Sequence, residues 1–297
     1  MFQKTQSLPA ALASGMFIGL FGLSGCQSQK TFSSPEAAVA ALSEAVQEQD
    51  RGDLRQLFGS RAHELRSDDP DQDRNDLIIF SRRLKEQREI SLEGEDRAVL
   101  LLGASRWPFA VPMVKTGGAW RFDTDAGIEE LTNRRIGRNE LQVIEACRTL
   151  IDAQREYISK DHDGDGVFEY ASHLMSTEGT HDGLYWPAPG GVDPSPIGPV
   201  LAAAATRTDE RGRRMPYYGY YFRPLFRGGT GDYMVNGNLT NGWGAVAYPA
   251  EYDVTGVMSF LCGSDGVVYQ QDFGPETEKK VKALEVHDPS KGWSPVP

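Results

Sequence analysis

The stretch GIEELTNRRIGRNELQVIEACRTLIDAQREYISKD, residues 127–161, decides the reading of this chain. Leu141, Ile144, Cys147, Ile151 and Ile158 recur at helical spacing and define one apolar stripe, while the opposite side is charged. A long amphipathic helix is expected here, with a break near Gly137 and Asn139 capping the main segment. A helix of that kind needs a partner surface for its stripe. The segments that follow supply one: strands are expected over 217–226, 242–249, 257–262 and 267–271. Gly263-Ser264-Asp265-Gly266 turns the last two into a hairpin. A short helix is expected near 197–205 and another at 275–284. These pieces make one α+β body, a long helix packed on a small antiparallel sheet.

Upstream the texture is different. Ser33-Ser34-Pro35-Glu36 reads as a capping box with proline in the first turn, opening a helix that carries Val39, Leu42 and Val46. A shorter helix carries Leu54, Leu57 and Phe58. Residues 66–76 read as a charged loop, and a third helix is expected over 77–88. Strands follow at 97–102, 109–115 and 119–123, the last two joined at Gly117-Gly118. Trp107 and Trp120 read as core residues. The expected division is a leader at 1–25, a tether at 26–32, an N-terminal α+β domain at 33–125 and a C-terminal α+β domain at 126–297.

The N-terminus is an address. Lys4 precedes a short apolar run, Leu12–Leu23, interrupted by glycines. That run is shorter than the roughly 20 residues a spanning helix needs. Leu23-Ser24-Gly25-Cys26 resembles the lipobox of bacterial lipoproteins, in which the cysteine receives the lipid. The resemblance implies lipidation at Cys26 and, with Gln27 after it, the periplasmic face of the outer membrane. The membrane partner is then reached through the lipid alone.

Composition narrows the function classes. The 297 residues carry 31 Lys+Arg against 42 Asp+Glu, a net charge of -11, which excludes a nucleic-acid surface built on phosphate neutralisation. Three cysteines are too few for a disulfide scaffold. No nucleophile elbow, phosphate loop or dinucleotide fingerprint is present.

Three groups of residues carry chemistry. Asp161-His162-Asp163-Gly164-Asp165-Gly166-Val167-Phe168-Glu169 alternates carboxylates with glycines. Calcium takes several hard oxygen ligands at close spacing, so Asp161, Asp163, Asp165, the Val167 carbonyl and Glu169 form a candidate set. Ser172 stands where a helix-loop-helix site has its bidentate glutamate. The alternative is a solvated acidic turn closed by Asx-type hydrogen bonds. His162, His173 and His181 are irregularly spaced and read as surface imidazoles. Cys147 and Cys262 are either a disulfide, feasible in an oxidising compartment, or two separate buried thiols. Arg134, Arg135 and Arg138 read as ion-pair partners of nearby glutamates, with an anion site as the alternative.

Longer stretches bring a family into view. They are Trp107-Pro108-Phe109, Trp120-Arg121-Phe122-Asp123, the run Arg134 to Glu140, Asp152 to Tyr157, Asp182 to Pro187 and Ser195 to Pro199, with Gly219-Tyr220-Tyr221, Asp265 to Tyr269 and Asp272-Phe273-Gly274. From about Phe32 to the end the chain closely resembles a bacterial family catalogued as domain of unknown function 2950. That resemblance implies a secreted or periplasmic setting and brings no activity. The first body is similar to the cone-shaped nuclear-transport-factor-2-like fold. Asn139-Glu140, Gly219 to Phe222, Thr255-Gly256 and Ser259-Phe260 weakly resemble the headgroups of pseudopilins and type IV pilins. A globular body stands where such proteins continue their membrane stem. The expected function is a non-enzymatic envelope lipoprotein that docks on another envelope protein, with calcium ordering its second domain. The alternative is a periplasmic small-ligand-binding or hydrolytic protein.

Overall fold

The structure, a computed structural model, describes residues 29–66, 70–191, 193–205, 207–209 and 211–297. The leader and Cys26 lie outside them. The chain is α+β and divides into two units between Thr124 and Asp125. Among the described residues no helix is long and apolar enough to cross a membrane.

The first unit has α1 (Pro35–Glu48), α2 (Arg51–Phe58) and α3 (Pro70–Glu86), then β1 (Arg88–Leu92), β2 (Arg97–Leu102), β3 (Trp107–Pro108), β4 (Met113–Thr116) and β5 (Ala119–Phe122). The sheet is antiparallel in the order β1-β2-β4-β5, with β3 beside β2. Ser34, one residue past the expected cap, accepts from Ala37 N at 3.3 Å and starts α1. Asp50 starts α2 through Gly52 N and Asp53 N. Buried Val39, Leu42 and Val46 of α1 meet Leu57, Phe58, Leu100, Leu102, Met113, Trp120 and Phe122 in one core.

Three sequence expectations are corrected here. α3 starts at Pro70, within the stretch read as loop. Trp107 is 47% exposed beneath the Arg83 guanidinium at 5.4 Å, so it is not a core residue. Residues 29–32, read as tether, are fastened: the Gln29 amide donates to the Leu57 and Phe122 carbonyls, and Phe32 bridges to Trp120.

The second unit opens with α4, which starts at Thr124, the last residue of the first, and runs unbroken to Tyr157, 34 residues, without the expected break at Gly137. A helix tolerates one glycine when tertiary packing holds it. The main sheet is built of β8 (Tyr220–Leu225), β13 (Gly244–Pro249), β14 (Met258–Gly263), β15 (Tyr269–Asp272) and β16 (Ser294–Pro295), in the order β16-β15-β14-β13-β8, all antiparallel. Between α4 and β8 lie β6 (His173–Met175) and β7 (Gly183–Tyr185), a parallel pair, and α5 (Pro199–Ala202). Small hairpins follow β8: β9 (Arg227–Gly228) with β10 (Gly231–Asp232), and β11 (Met234–Val235) with β12 (Asn238–Leu239). α6 (Thr277–Lys282) comes before β16.

Strand alternation gives the sheet two apolar faces. Tyr220, Phe222, Ala247, Phe260 and Cys262 join Val143, Cys147, Leu150 and Ile151 of α4 in one core. Leu225, Val246, Tyr248 and Leu261 join Val281 of α6 and Trp293 in a second. The expected helix stripe holds at Ile144, Cys147 and Ile151, which join this core, and fails at Leu141. Val143, Cys147, Leu150 and Ile151 are buried, and Leu141 is 67% exposed.

A buried histidine makes the fold sensitive to acid. His287 is 4% exposed, its Nδ1 shares a hydrogen bond with the Tyr233 hydroxyl at 3.0 Å, and its Nε2 has no partner among the described residues. Burial holds its pKa below the usual 6.5, against the opposing pull of Asp265 and Asp288. The unfolded chain takes up this proton as pH falls through 6.5 while the native chain does not, so stability is full above that pH and is lost below it. His162 is shifted in the same direction, also chiefly by burial. The urea midpoint should fall between about pH 7.5 and pH 5.5, by at most about 1.4 kcal/mol per pH unit for His287. A His287→Gln variant should show a shallower fall, and equal slopes in the two proteins would exclude His287 as the cause.

Candidate functional site

α4 ends at Tyr157, and four residues later the acidic loop begins. Asp161 closes it onto itself: Oδ1 accepts from Gly164 N at 2.7 Å and Oδ2 from Gly166 N at 3.0 Å. Asp163 accepts from Asp165 N at 3.2 Å, and Asp165 from Val167 N at 2.7 Å. Gly164 and Gly166 sit at φ 79° and 83°, the left-handed region that favours glycine. These successive turns bring one carboxylate oxygen each from Asp161, Asp163 and Asp165 within 4.8 Å of one another. All three residues are exposed. The backbone N–H groups of Gly164 and Gly166 hold the Asp161 carboxyl below the usual carboxylate range, so it is charged at neutral pH.

The loop is also tied from outside. Asn238 donates to Asp165 Oδ2 at 2.8 Å, and Leu239 N donates to Glu169 Oε2 at 2.9 Å. Tyr170 N donates to the Leu239 carbonyl at 2.9 Å. Glu169, expected beside the three aspartates, thus has one oxygen on β12, and it is not among the converging carboxylates. Val167 is fixed in the loop through its N–H, which leaves its carbonyl as the group the sequence offered to a metal.

Beside the loop the histidines are not separate surface groups. His162 stacks on Tyr157 at 4.1 Å, His181 stacks on Trp186 at 4.3 Å, and His162 lies 5.4 Å from Trp186. The Tyr157 hydroxyl donates to the His181 carbonyl at 2.5 Å, and the Trp186 indole to the Asp193 carbonyl at 2.9 Å. His181 also pairs with the Asp193 carboxylate at 3.5 Å. Burial, then the Glu169, Asp182 and Asp163 charges, push the Tyr157 phenol up, so it stays a neutral donor. His173 stands apart, 4.0 Å from Asp182. The stack supports the base of the acidic loop, and nothing in its spacing announced it.

The Asn139-Glu140 pair has a different role from the expected helix cap. Asn139 donates to the Thr255 carbonyl at 2.8 Å. Glu140 Oε1 accepts from Val257 N at 3.0 Å and Met258 N at 2.9 Å, and lies 3.5 Å from the Tyr220 hydroxyl. This clamp holds α4 to the turn before β14. Arg134 pairs with Glu130 at 2.7 Å, the expected helical ion pair. Cys147 and Cys262 are fully buried free thiols in the α4 core. In the first unit a recess is lined by Val46, Gln47, Gln49, Ser81, Leu84 and Lys85, with no carboxylate or histidine among them.

The family model described as Protein of unknown function (DUF2950) matches residues 29–296, nearly the whole chain. The chain belongs to this family. No curated protein and no solved structure matches the chain. The likeness of this DUF2950 chain to pilin headgroups thus gains no support from a solved structure.

Proposed function

We propose that the chain is a non-catalytic cell-envelope lipoprotein, anchored through Cys26, whose second unit binds calcium in the acidic loop and docks on another envelope protein. The observation that carries the calcium reading is the convergence of Asp161, Asp163 and Asp165 within 4.8 Å in a loop shaped by two left-handed glycines. Hard carboxylate oxygens suit calcium or magnesium better than a soft metal. The Val167 carbonyl and water would complete the ligand set. Bound calcium would supply charge neutralisation and order, not a reactive centre. The tie from Asn238 to Asp165 would carry that order into the β11-β12 hairpin.

Thermal unfolding of the full chain in calcium and in EGTA tests this reading. A ligand at 100 times its Kd stabilises by about 2.7 kcal/mol, which corresponds to a Tm rise of about 8 °C for a unit of this size. The rise should vanish in an Asp163→Asn/Asp165→Asn variant. Equal Tm values in calcium and EGTA would remove calcium from the proposal.

A further inference from the structure

Alternation in β14 turns Phe260 and Cys262 toward α4 and Leu261 toward α6. Cys147 lies on the same buried stripe of α4 as Val143, Leu150 and Ile151. Both cysteines have no exposed surface, and the neighbouring Cys147 thiol, then burial, push the Cys262 thiol up. Small apolar residues would fill such a position as well as cysteine does, so packing alone does not call for facing sulfurs. From these placements we propose that Cys147 and Cys262 become a structural disulfide when the chain matures.

The bond stitches α4 to the central strand β14 and closes a loop on the order of 100 residues, a length at which a cross-link restricts the unfolded chain strongly. The reaction is thiol–disulfide exchange with a disulfide-bearing oxidant, R–S–S–R. One cysteine thiolate attacks an oxidant sulfur and releases one RS⁻. The second thiolate then attacks the mixed disulfide and releases the other. Both thiol protons go to solvent or to the departing thiolates. The cysteines lose two electrons and the oxidant becomes two thiols. Neither sulfur is reachable in the folded unit, so the bond forms before α4 settles on the sheet. For the same reason the finished bond resists reductants under native conditions.

The proposal rests on the exported reading of the N-terminus for its oxidant, and two arms separate the readings. In the first, the full chain is unfolded, reduced and refolded in a glutathione redox buffer. In the second, cells are alkylated before lysis and the envelope and cytosolic fractions are analysed separately. Peptide mapping should show the Cys147–Cys262 cross-link in the refolded protein and in the envelope fraction. The bonded form should melt about 10 °C above the refolded reduced form and lose that margin only when reduced in denaturant. Free thiols in the refolded protein, or a link from Cys26 to either partner, overturn the pairing. A bonded refolded chain together with thiol-bearing protein in the cytosol overturns export and supports the pairing.

Discussion

Replacing Gly256 by alanine is expected to cost more than about 3 kcal/mol and to lower the Tm of the second unit by about 10 °C. A β-carbon at this position would lie 2.0 Å from the Tyr220 hydroxyl and 2.4 Å from the ring carbon that bears it. Tyr220 has no exposed surface and nowhere to swing. Its hydroxyl donates to the Met258 carbonyl at 2.9 Å and lies 3.5 Å from Glu140. Relief therefore requires moving either β8, held by its pairing with β13, or the turn before β14, held by the Asn139-Glu140 clamp. The control is Tyr220→Ala, which removes the ring from the collision. The double variant should cost little more than Tyr220→Ala alone, a strongly non-additive pair. Wild-type stability in Gly256→Ala, by urea denaturation, would disprove the close packing on which this rests.

The second large effect is expected at Phe122. It has no exposed surface and its ring lies 5.2 Å from Phe58 and 6.4 Å from Phe109, which in turn lies 5.0 Å from Phe80. Truncation to alanine leaves a hole among aromatic rings that cannot collapse onto it, at a cost of about 3–5 kcal/mol. The loss should be read as faster hydrogen exchange in the strands and α1 of the first unit, where the Phe122 core lies. Unchanged protection there would show that the ring is not central to the core.

Local pattern carried far in this chain, and long-range contact marks where it stopped. The amphipathic run at 127–161 and the glycine turns predicted a helix and hairpins that are present. The stripe held at Ile144, Cys147 and Ile151, but its edge was harder, because Leu141 is apolar yet faces water while Val143 is buried. Periodicity alone does not fix which edge of the stripe the sheet covers. The start of α3 was hidden because residues 70–76 carry charge and no apolar marker. At the candidate site the three aspartates were legible, since their spacing alone brings them together. Glu169 was not, because its partner Leu239 lies 70 positions away. The stack of Tyr157, His162, His181 and Trp186 was hidden in the same way: the pair Tyr157–His162 meets the pair His181–Trp186 across 24 positions of sequence.

The unbroken α4 has an electrical consequence. Its aligned peptide dipoles place roughly half a negative charge at the carbonyl end, the end from which the acidic loop departs. The loop then adds three carboxylates within 4.8 Å of one another. Helix end and loop therefore share one sign, with Lys160 between them, whose backbone N–H closes on the Tyr157 carbonyl. A bound cation would neutralise both at once. The last turn of α4, including Tyr157 and its stacked histidine, would then report occupancy of a loop it does not itself ligate.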